Sequence, residues 1–344
     1  LHQVHADGAR VSGPNDAGVV RVREGSTVGV AVGCGILPEW GDVDPYWMAQ
    51  AVVDEAIRNV VAVGAEFGNP DCVVSLCDNF CWPDPVKDPQ KMAALVRACF
   101  GMRQACLELG VPLVSGKDSM KNDYRGKVGG REVHIAVPYS LLMTAVARVP
   151  DIRRARTSDF KHAGEKVFLL GGTERGLRGS QWEGLIDPRA GSRDAADLKE
   201  YLRLQSVTRR MAEPDWVQAR AIYSWLGGAR GKEQGRLSAV HDVSEGGLYT
   251  ALVEMALARG LGVHLLDSAC GDRIWEHAFG EGFHSFVVSC AEGDAGALEQ
   301  EWMKEGVPFQ ALGRTTMDGR LVDGCLDVSM EDCRAAWKRE GYWP

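Results

Sequence analysis

Valine and glycine set the first readable pattern in the chain. Gly18-Val19-Val20 is followed by Val28, Val30 and Val32 at alternate positions, the period of a half-buried strand. The spacing then lengthens to four. Met48, Val52, Ala56 and Val60 mark the buried stripe of a helix, which Asp44 can cap with Pro45 at the first helical position. Asp71 to Leu76 predicts a short strand, and Asp88 to Leu109 a helix with Met92, Leu95, Val96, Cys99 and Cys106 inward. Gly110 ends that helix as a left-handed cap. Val111 to Ser115 predicts a strand feeding a polar turn, and His134 to Val149 more strand.

The polar, basic stretch Asp151 to Gly164 reads as a linker. It separates a first domain, residues 1–150, from a second, residues 165–344. The second domain opens on a buried strand, Lys166 to Leu170, and continues with strands at Ser238 to Val243 and Phe286 to Cys290. Helices are predicted at Gly246 to Ala258, with Leu248, Leu252, Met255 and Ala256 inward, and at Ala295 to Lys304. Strands alternating with helices predict an α/β fold.

Length supports two domains: 344 residues exceed one ordinary core. Apolar residues at 45% and charged residues at 25% describe a globular chain. No stretch reaches the eighteen apolar residues of a membrane span, and a net charge of −8 argues against a general nucleic-acid binder. The ten cysteines lack both a signal peptide and tight metal spacing, so free thiols in the cytoplasm are expected. Cys34, Cys72, Cys99, Cys106 and Cys290 read as small hydrophobes. The chain begins at Leu1 and is expected to belong to a longer polypeptide.

Three constellations carry candidate chemistry. Glu55 and Asn59 share one helix face, a carboxylate and an amide suited to magnesium. The plainer account is a solvated face on which Asp54, Glu55 and Arg58 make surface pairs. In Ser115-Gly116-Lys117-Asp118-Ser119, glycine admits close backbone approach, lysine a phosphate charge and serine a hydroxyl. The run departs from the Walker A spacing, and a turn with a charged tip explains it equally. His241-Asp242-Val243-Ser244-Glu245-Gly246-Gly247 leaves a strand and enters a helix whose N-terminus favours phosphate. Alternatively Ser244 is an N-cap and His241 a satisfied core histidine.

Together these segments resemble the family of aminoimidazole ribonucleotide synthetase, selenophosphate synthetase and phosphoribosylformylglycinamidine synthase. The phrases from His241 to Leu248 and from Glu55 to Ala65 carry the resemblance. Gly13-Pro14-Asn15-Asp16-Ala17, Val114 to Lys121, and Val137 to Asp151 are similar to the second half of the phosphoribosylformylglycinamidine synthases. The resemblance implies a two-domain unit: an N-terminal sheet-and-helix dimerisation domain and a C-terminal α/β sandwich. It implies an ATP-dependent carbon–nitrogen ligase that converts formylglycinamide ribonucleotide and glutamine-derived ammonia to the formylglycinamidine in purine biosynthesis. Asp16, Glu55, Asn59 and Asp242 fall on magnesium positions of an auxiliary site, and Asn15 and Ser244 on its nucleotide contacts. Gly116, Lys117 and Ser119 match a loop reaching toward a catalytic nucleotide, and Asp78 lies near a nucleotide-contact aspartate.

The family's catalytic histidine motif has no counterpart here, and Glu281-Gly282-Phe283-His284-Ser285 replaces its substrate arginine segment. The resemblance therefore implies a partner N-terminal half and a glutaminase, Mg2+ and ATP or ADP as cofactors, and a homodimer when isolated. The catalytic residues are expected to lie outside this chain. A non-catalytic, nucleotide-stabilised structural half and a related synthetase of the family are the alternatives.

Overall fold

The fold is that of a computed structural model describing residues 2–4, 10–12, 15–172, 175–186, 211–228, 234–266, 274–324 and 326–338. The Gly13-Pro14 part of the opening motif lies outside them. A small ribbon pairs β1 (His2–Val4) with β2 (Arg10–Ser12). The first domain is built on a five-stranded sheet of β3 (Gly18–Arg21), β4 (Gly29–Ile36), β5 (Ser75–Cys81), β6 (Leu113–Gly116) and β9 (Ser140–Val149). The order is β3-β4-β9-β5-β6, antiparallel except for β5 and β6.

A short helix, α1 (Pro38–Val43), leads into α2 (Pro45–Ala62). The Asp44 side chain accepts from Tyr46 N and caps α2, a contribution of about 1 kcal/mol. Gly33 and Gly35 let α2 lie flush on β4. A Cβ at Gly35 would stand 2.4 Å from Val52 O, and one at Gly33 2.8 Å from Asn59 Cβ.

The third helix, α3 (Pro89–Leu109), ends at Gly110 in the left-handed conformation, as the sequence predicts. Its buried face differs from the expected one. Ala98, Gly101, Ala105 and Leu109 face inward, whereas Met92, Val96 and Cys99 are exposed. The cause is close approach: a Cβ at Gly101 would lie 2.1 Å from Tyr46 O, so small residues line the contact. Two strand readings also shift. The strand expected at 71–76 runs from Ser75 to Cys81, and 134–149 divides into β8 (Arg131–Ala136) and β9. β8 pairs with β7 (Asp123–Val128) in a separate hairpin.

The second domain holds β10 (Lys166–Leu170), β11 (Arg175–Gly176), α4 (Gln181–Ile186), α5 (Trp216–Gly227), β12 (Leu237–Asp242), α6 (Gly247–Leu257) and β13 (Gly262–Leu265). It continues with α7 (Ile274–Phe279), β14 (Glu281–Gly282), β15 (Phe286–Cys290), α8 (Glu292–Glu305), β16 (Phe309–Thr316), β17 (Arg320–Asp323), β18 (Leu326–Ser329) and α9 (Met330–Trp337). Its seven-stranded sheet has the order β12-β15-β10-β16-β13-β17-β18, with β13 and β17 its parallel pair. Strand β10 is buried on both faces, which explains its unbroken apolar run. Phe168 and Leu170 join a core shared with the first domain's α2 and sheet, and Val167 and Leu169 a second core under Leu248, Leu252 and Met255 of α6.

The polar, basic stretch read as the linker is buried at Arg156, Ser158, Asp159 and Phe160. Arg156 explains why. Its Nε donates to Ala62 O, and its Nη2 to Val61 O and Leu226 O. One guanidinium thus satisfies the last carbonyls of two helices, α2 and α5, from different domains.

Candidate metal and nucleotide site

Two domains meet at Asp16 and Asp242. Asp16 lies just before β3, and Asp242 ends β12. Asp16 Oδ1 accepts from Asp242 N at 3.2 Å and from His241 Nδ1 at 2.6 Å. The other ring nitrogen, His241 Nε2, lies 3.0 Å from Glu254 Oε2 on α6. Burial works against a charged His241, but Asp16 and Glu254 outweigh it and raise the imidazole well above its usual range. Asp16, despite its burial, is held below the usual carboxylate range by His241. Burial, with Asp16 alongside, pushes Asp242 up to about 7.

What this cluster lacks defines what it can hold. Asp16 Oδ2 and Asp242 Oδ2 are buried and have no hydrogen-bond partner among the described residues. Two buried carboxylates this close call for positive charge beyond the one guanidinium at hand, Arg58, whose Nη2 lies 3.5 Å from Asp242 Oδ2. Ligating atoms of Asp16, His241 and Asp242 lie within 4.8 Å of one another. Both nitrogens of His241 face carboxylates, so the free donors are hard oxygens, the set that suits magnesium or calcium rather than zinc.

Glu55 and Asn59 project from α2, and neither is on a solvated face: both are buried. Glu55 Oε2 accepts from Ile36 N at 3.0 Å, and Asn59 Nδ2 donates to Cys34 O at 2.7 Å. Burial pushes Glu55 well above the usual range against the pull of Arg58, and Asp242 and Glu245 add to the effect. Glu55 therefore shares the electrostatic neighbourhood of Asp242. No hydrogen bond joins Glu55 or Asn59 to either aspartate among the described residues.

The expected nucleotide contacts fall into two places. Asn15 sits beside Asp16, but its Oδ1 accepts from Ser158 N and its Nδ2 donates to Ala17 O. Ser244 does not cap the following helix. The N-cap is Gly246, left-handed, and Ser244 contributes only its carbonyl, which accepts from Gly247 N. Asp78, Gly116, Lys117 and Ser119 form a second cluster at the end of β5 and β6. Lys117 N donates to Asp78 O, Ser119 N to Phe80 O, and Lys117 Nζ to Ser119 Oγ. A Cβ at Gly116 would stand 2.3 Å from Asp78 Oδ1, so glycine there makes room for the carboxylate. Burial and neighbouring Asp118 raise Asp78 above its usual range.

The buried network of Asp54, Arg58, Tyr223 and His284 beside the site escaped the sequence reading. Asp54 and Arg58 look like an ordinary i,i+4 surface pair, yet they are 0% and 2% exposed. No local signal marked them: Gln50, Asp54 and Arg58 recur at four-residue spacing along α2, the pattern of a solvated face, yet the helix is buried at every position from Met48 to Ala62. His284, at φ 55°, is one of two non-glycine residues in the left-handed region among those described. Its backbone N and its Nδ1 both donate to Asp54, at 3.1 and 2.5 Å, which fixes that conformation.

Comparison with known proteins gives the lineage. The family described as AIR synthase related protein matches through its N-terminal domain at residues 14–134 and its C-terminal domain at 163–324. Phosphoribosylformylglycinamidine synthase subunit PurL of a Nocardioides species is 32% identical over 324 residues, 94% of this chain and 38% of the relative. The PurL subunit of Thermomicrobium roseum is 32% identical over 332 residues, covering 94% and 40%. This chain thus spans about two fifths of these relatives. Among solved structures, Thermotoga maritima PurL complexed with FGAR has TM-score 0.66 at 16% identity, over 92% of this chain and 47% of the other. The tt0281 protein of Thermus thermophilus has TM-score 0.58 at 14% identity, over 91% and 90%. With both domain families matched in order across most of its length, the chain belongs to the AIR synthase related family.

Proposed function

We propose that this chain is the C-terminal half of an ATP-dependent phosphoribosylformylglycinamidine synthase of purine biosynthesis, binding a magnesium adenine nucleotide at the junction of its domains. The observation that carries the reading is the pair of buried oxygens on Asp16 and Asp242 that lack a hydrogen bond among the described residues. These two residues would hold Mg2+, with Glu55 and Asn59 behind them, and the ion would neutralise nucleotide phosphates there. The relatives' name, synthase subunit PurL, supports the same reading, as does the fold shared with Thermotoga maritima PurL complexed with ATP.

The protein's own groups have separate tasks in this reading. Asp16 and Asp242 bind; His241 and Glu254 fix the orientation of Asp16. Lys117 and Ser119, on the second cluster, extend toward the catalytic centre of the complete assembly. A partner N-terminal half supplies the catalytic histidine and substrate arginine, and a glutaminase supplies ammonia. The site belongs to the cytoplasm, and no described helix is long and apolar enough to cross a membrane.

Isolated, the chain pairs with itself through the outer face of the first sheet. Val20, Val32, Ile36 and Val146 are exposed there, a contiguous apolar surface of the kind that marks an interface. The decisive assay is phosphate release dependent on formylglycinamide ribonucleotide and ammonium, with and without the added N-terminal half. Turnover is expected only in the mixture. Robust substrate-dependent turnover by this chain alone refutes the half-enzyme reading.

A further inference from the structure

Two carboxylates flank one guanidinium at the domain junction, Asp54 from the same helix and Asp242 from the second domain. Arg58 donates through Nη1 to Asp54 Oδ2 at 2.7 Å and to Gly282 O at 3.0 Å. Its Nη2 lies 3.5 Å from Asp242 Oδ2. The two carboxylates are unequally served. Asp54 also accepts from Tyr223 OH and from the backbone and ring of His284, so both its oxygens are satisfied. Among the described residues Asp242 Oδ2 has no hydrogen bond, and neither has the buried Arg58 Nε.

This inequality follows from how Arg58 is held. Its planar fork is rigid and its charge permanent. Nη1 is pinned by Asp54 and Gly282, and Asp54 is itself fixed by two residues of the second domain. The guanidinium cannot swing the remaining distance to Asp242, nor withdraw from it. Asp242 therefore faces a positive charge close enough to be felt and too far to complete its hydrogen bonding.

We propose that Arg58 is a positioning residue for Asp242, the fixed counter-charge against which a divalent cation must compete for the Asp16–Asp242 oxygens. The inference rests on the metal reading above and adds what sets the affinity. A cation at these oxygens replaces Arg58 as the partner of Asp242 Oδ2 and is repelled by it, so binding is weaker than the two aspartates alone would give. The fixed guanidinium thus tunes the site toward reversible occupancy.

The test is thermal unfolding of the full chain over a Mg2+ titration, with and without ADP, for wild type, Arg58→Gln and Tyr223→Phe. Removing the guanidinium charge should lower the half-saturating Mg2+ concentration about tenfold or more and enlarge the Mg2+-induced rise in Tm. Tyr223→Phe, which loosens Asp54 but leaves both charges, should lower Tm equally at all Mg2+ concentrations. Should Arg58→Gln fail to fold, the double variant Asp54→Asn with Arg58→Gln removes the stranded Asp54 charge and reads the same shift. A half-saturation that is unchanged or raised when Arg58 is replaced overturns the proposal alone. A wild type whose Tm ignores Mg2+ in both series overturns the metal reading, and the proposal with it.

Discussion

Asp54→Asn is the most informative single change for the architecture. The Asp54 carboxylate receives Arg58 Nη1 at 2.7 Å, His284 N at 3.1 Å and His284 Nδ1 at 2.5 Å, together with Tyr223 OH. Asparagine keeps the shape but turns one acceptor into a donor facing other donors, and it strands Arg58. Breaking a buried pair in this way costs about 3–5 kcal/mol. Part of the cost depends on pH. Burial opposes the charge, yet His284 and Arg58 hold Asp54 down to about 2, against 3.8 for a free carboxyl. That difference corresponds to about 2.4 kcal/mol, fully present above pH 3.8 and lost as pH falls through 2. About 1 kcal/mol of it is gone at pH 3. Urea unfolding at pH 7 and pH 3 should therefore show a gap between wild type and variant that narrows by about that amount on acidification. A variant within about 1 kcal/mol of wild type at pH 7, or a gap that widens in acid, refutes the assignment.

Arg156→Met should destabilise by about 2–4 kcal/mol in the same assay. Three helix-terminal carbonyls lose their donor, a loss partly offset because burial already pulls this guanidinium down to about 10. Glu281, which accepts from Gln181 N and Gly246 N, is pushed by burial up to about 7 from 4.5. Its contribution is greatest below pH 4.5 and is lost as pH rises through 7. Wild type should lose about 3 kcal/mol relative to Glu281→Gln between pH 4.5 and pH 8, and parallel pH profiles would contradict this. Val32→Arg, on the outer sheet face, should convert a dimer to a monomer in sedimentation without lowering Tm. In the reconstituted synthase assay, Lys117→Ala should reduce turnover, whereas Asp242→Ala should chiefly reduce nucleotide retention and Tm.

Much of this arrangement was legible in the chain because the local signals agree with one another. Asp44, Pro45 and the fourfold spacing mark α2, and Gly110 ends α3 where the pattern stops. The inner face of α3 was not legible. Hydrophobicity points to Met92, Val96 and Cys99, but the contact with Tyr46 admits only small side chains, so larger ones are left outside. Asp16 and Asp242, 226 positions apart, were paired through family resemblance; no spacing rule connects them. Arg156, Asp54 and Arg58 look like surface charges in any window of sequence. Their burial is decided by the other domain, which a local pattern does not report.

The glycine-lined contact between α2 and β4 has one further consequence, for the choice of amide over acid at position 59. Strand β3 stops opposite Val32, so among the described residues the outer edge of β4 beyond it has no neighbouring strand. Glu55 and Asn59 reach that edge and answer its groups in kind, an acceptor to Ile36 N and a donor to Cys34 O. The two side chains act as a surrogate strand, and their rotamers are locked by the backbone they complete. An aspartate at 59 would be the stronger ligand for a divalent ion, but it would set a carboxylate oxygen against the Cys34 carbonyl and reopen the edge. The identity of residue 59 is thus dictated by the sheet, and whatever binds nearby must make do with a neutral oxygen.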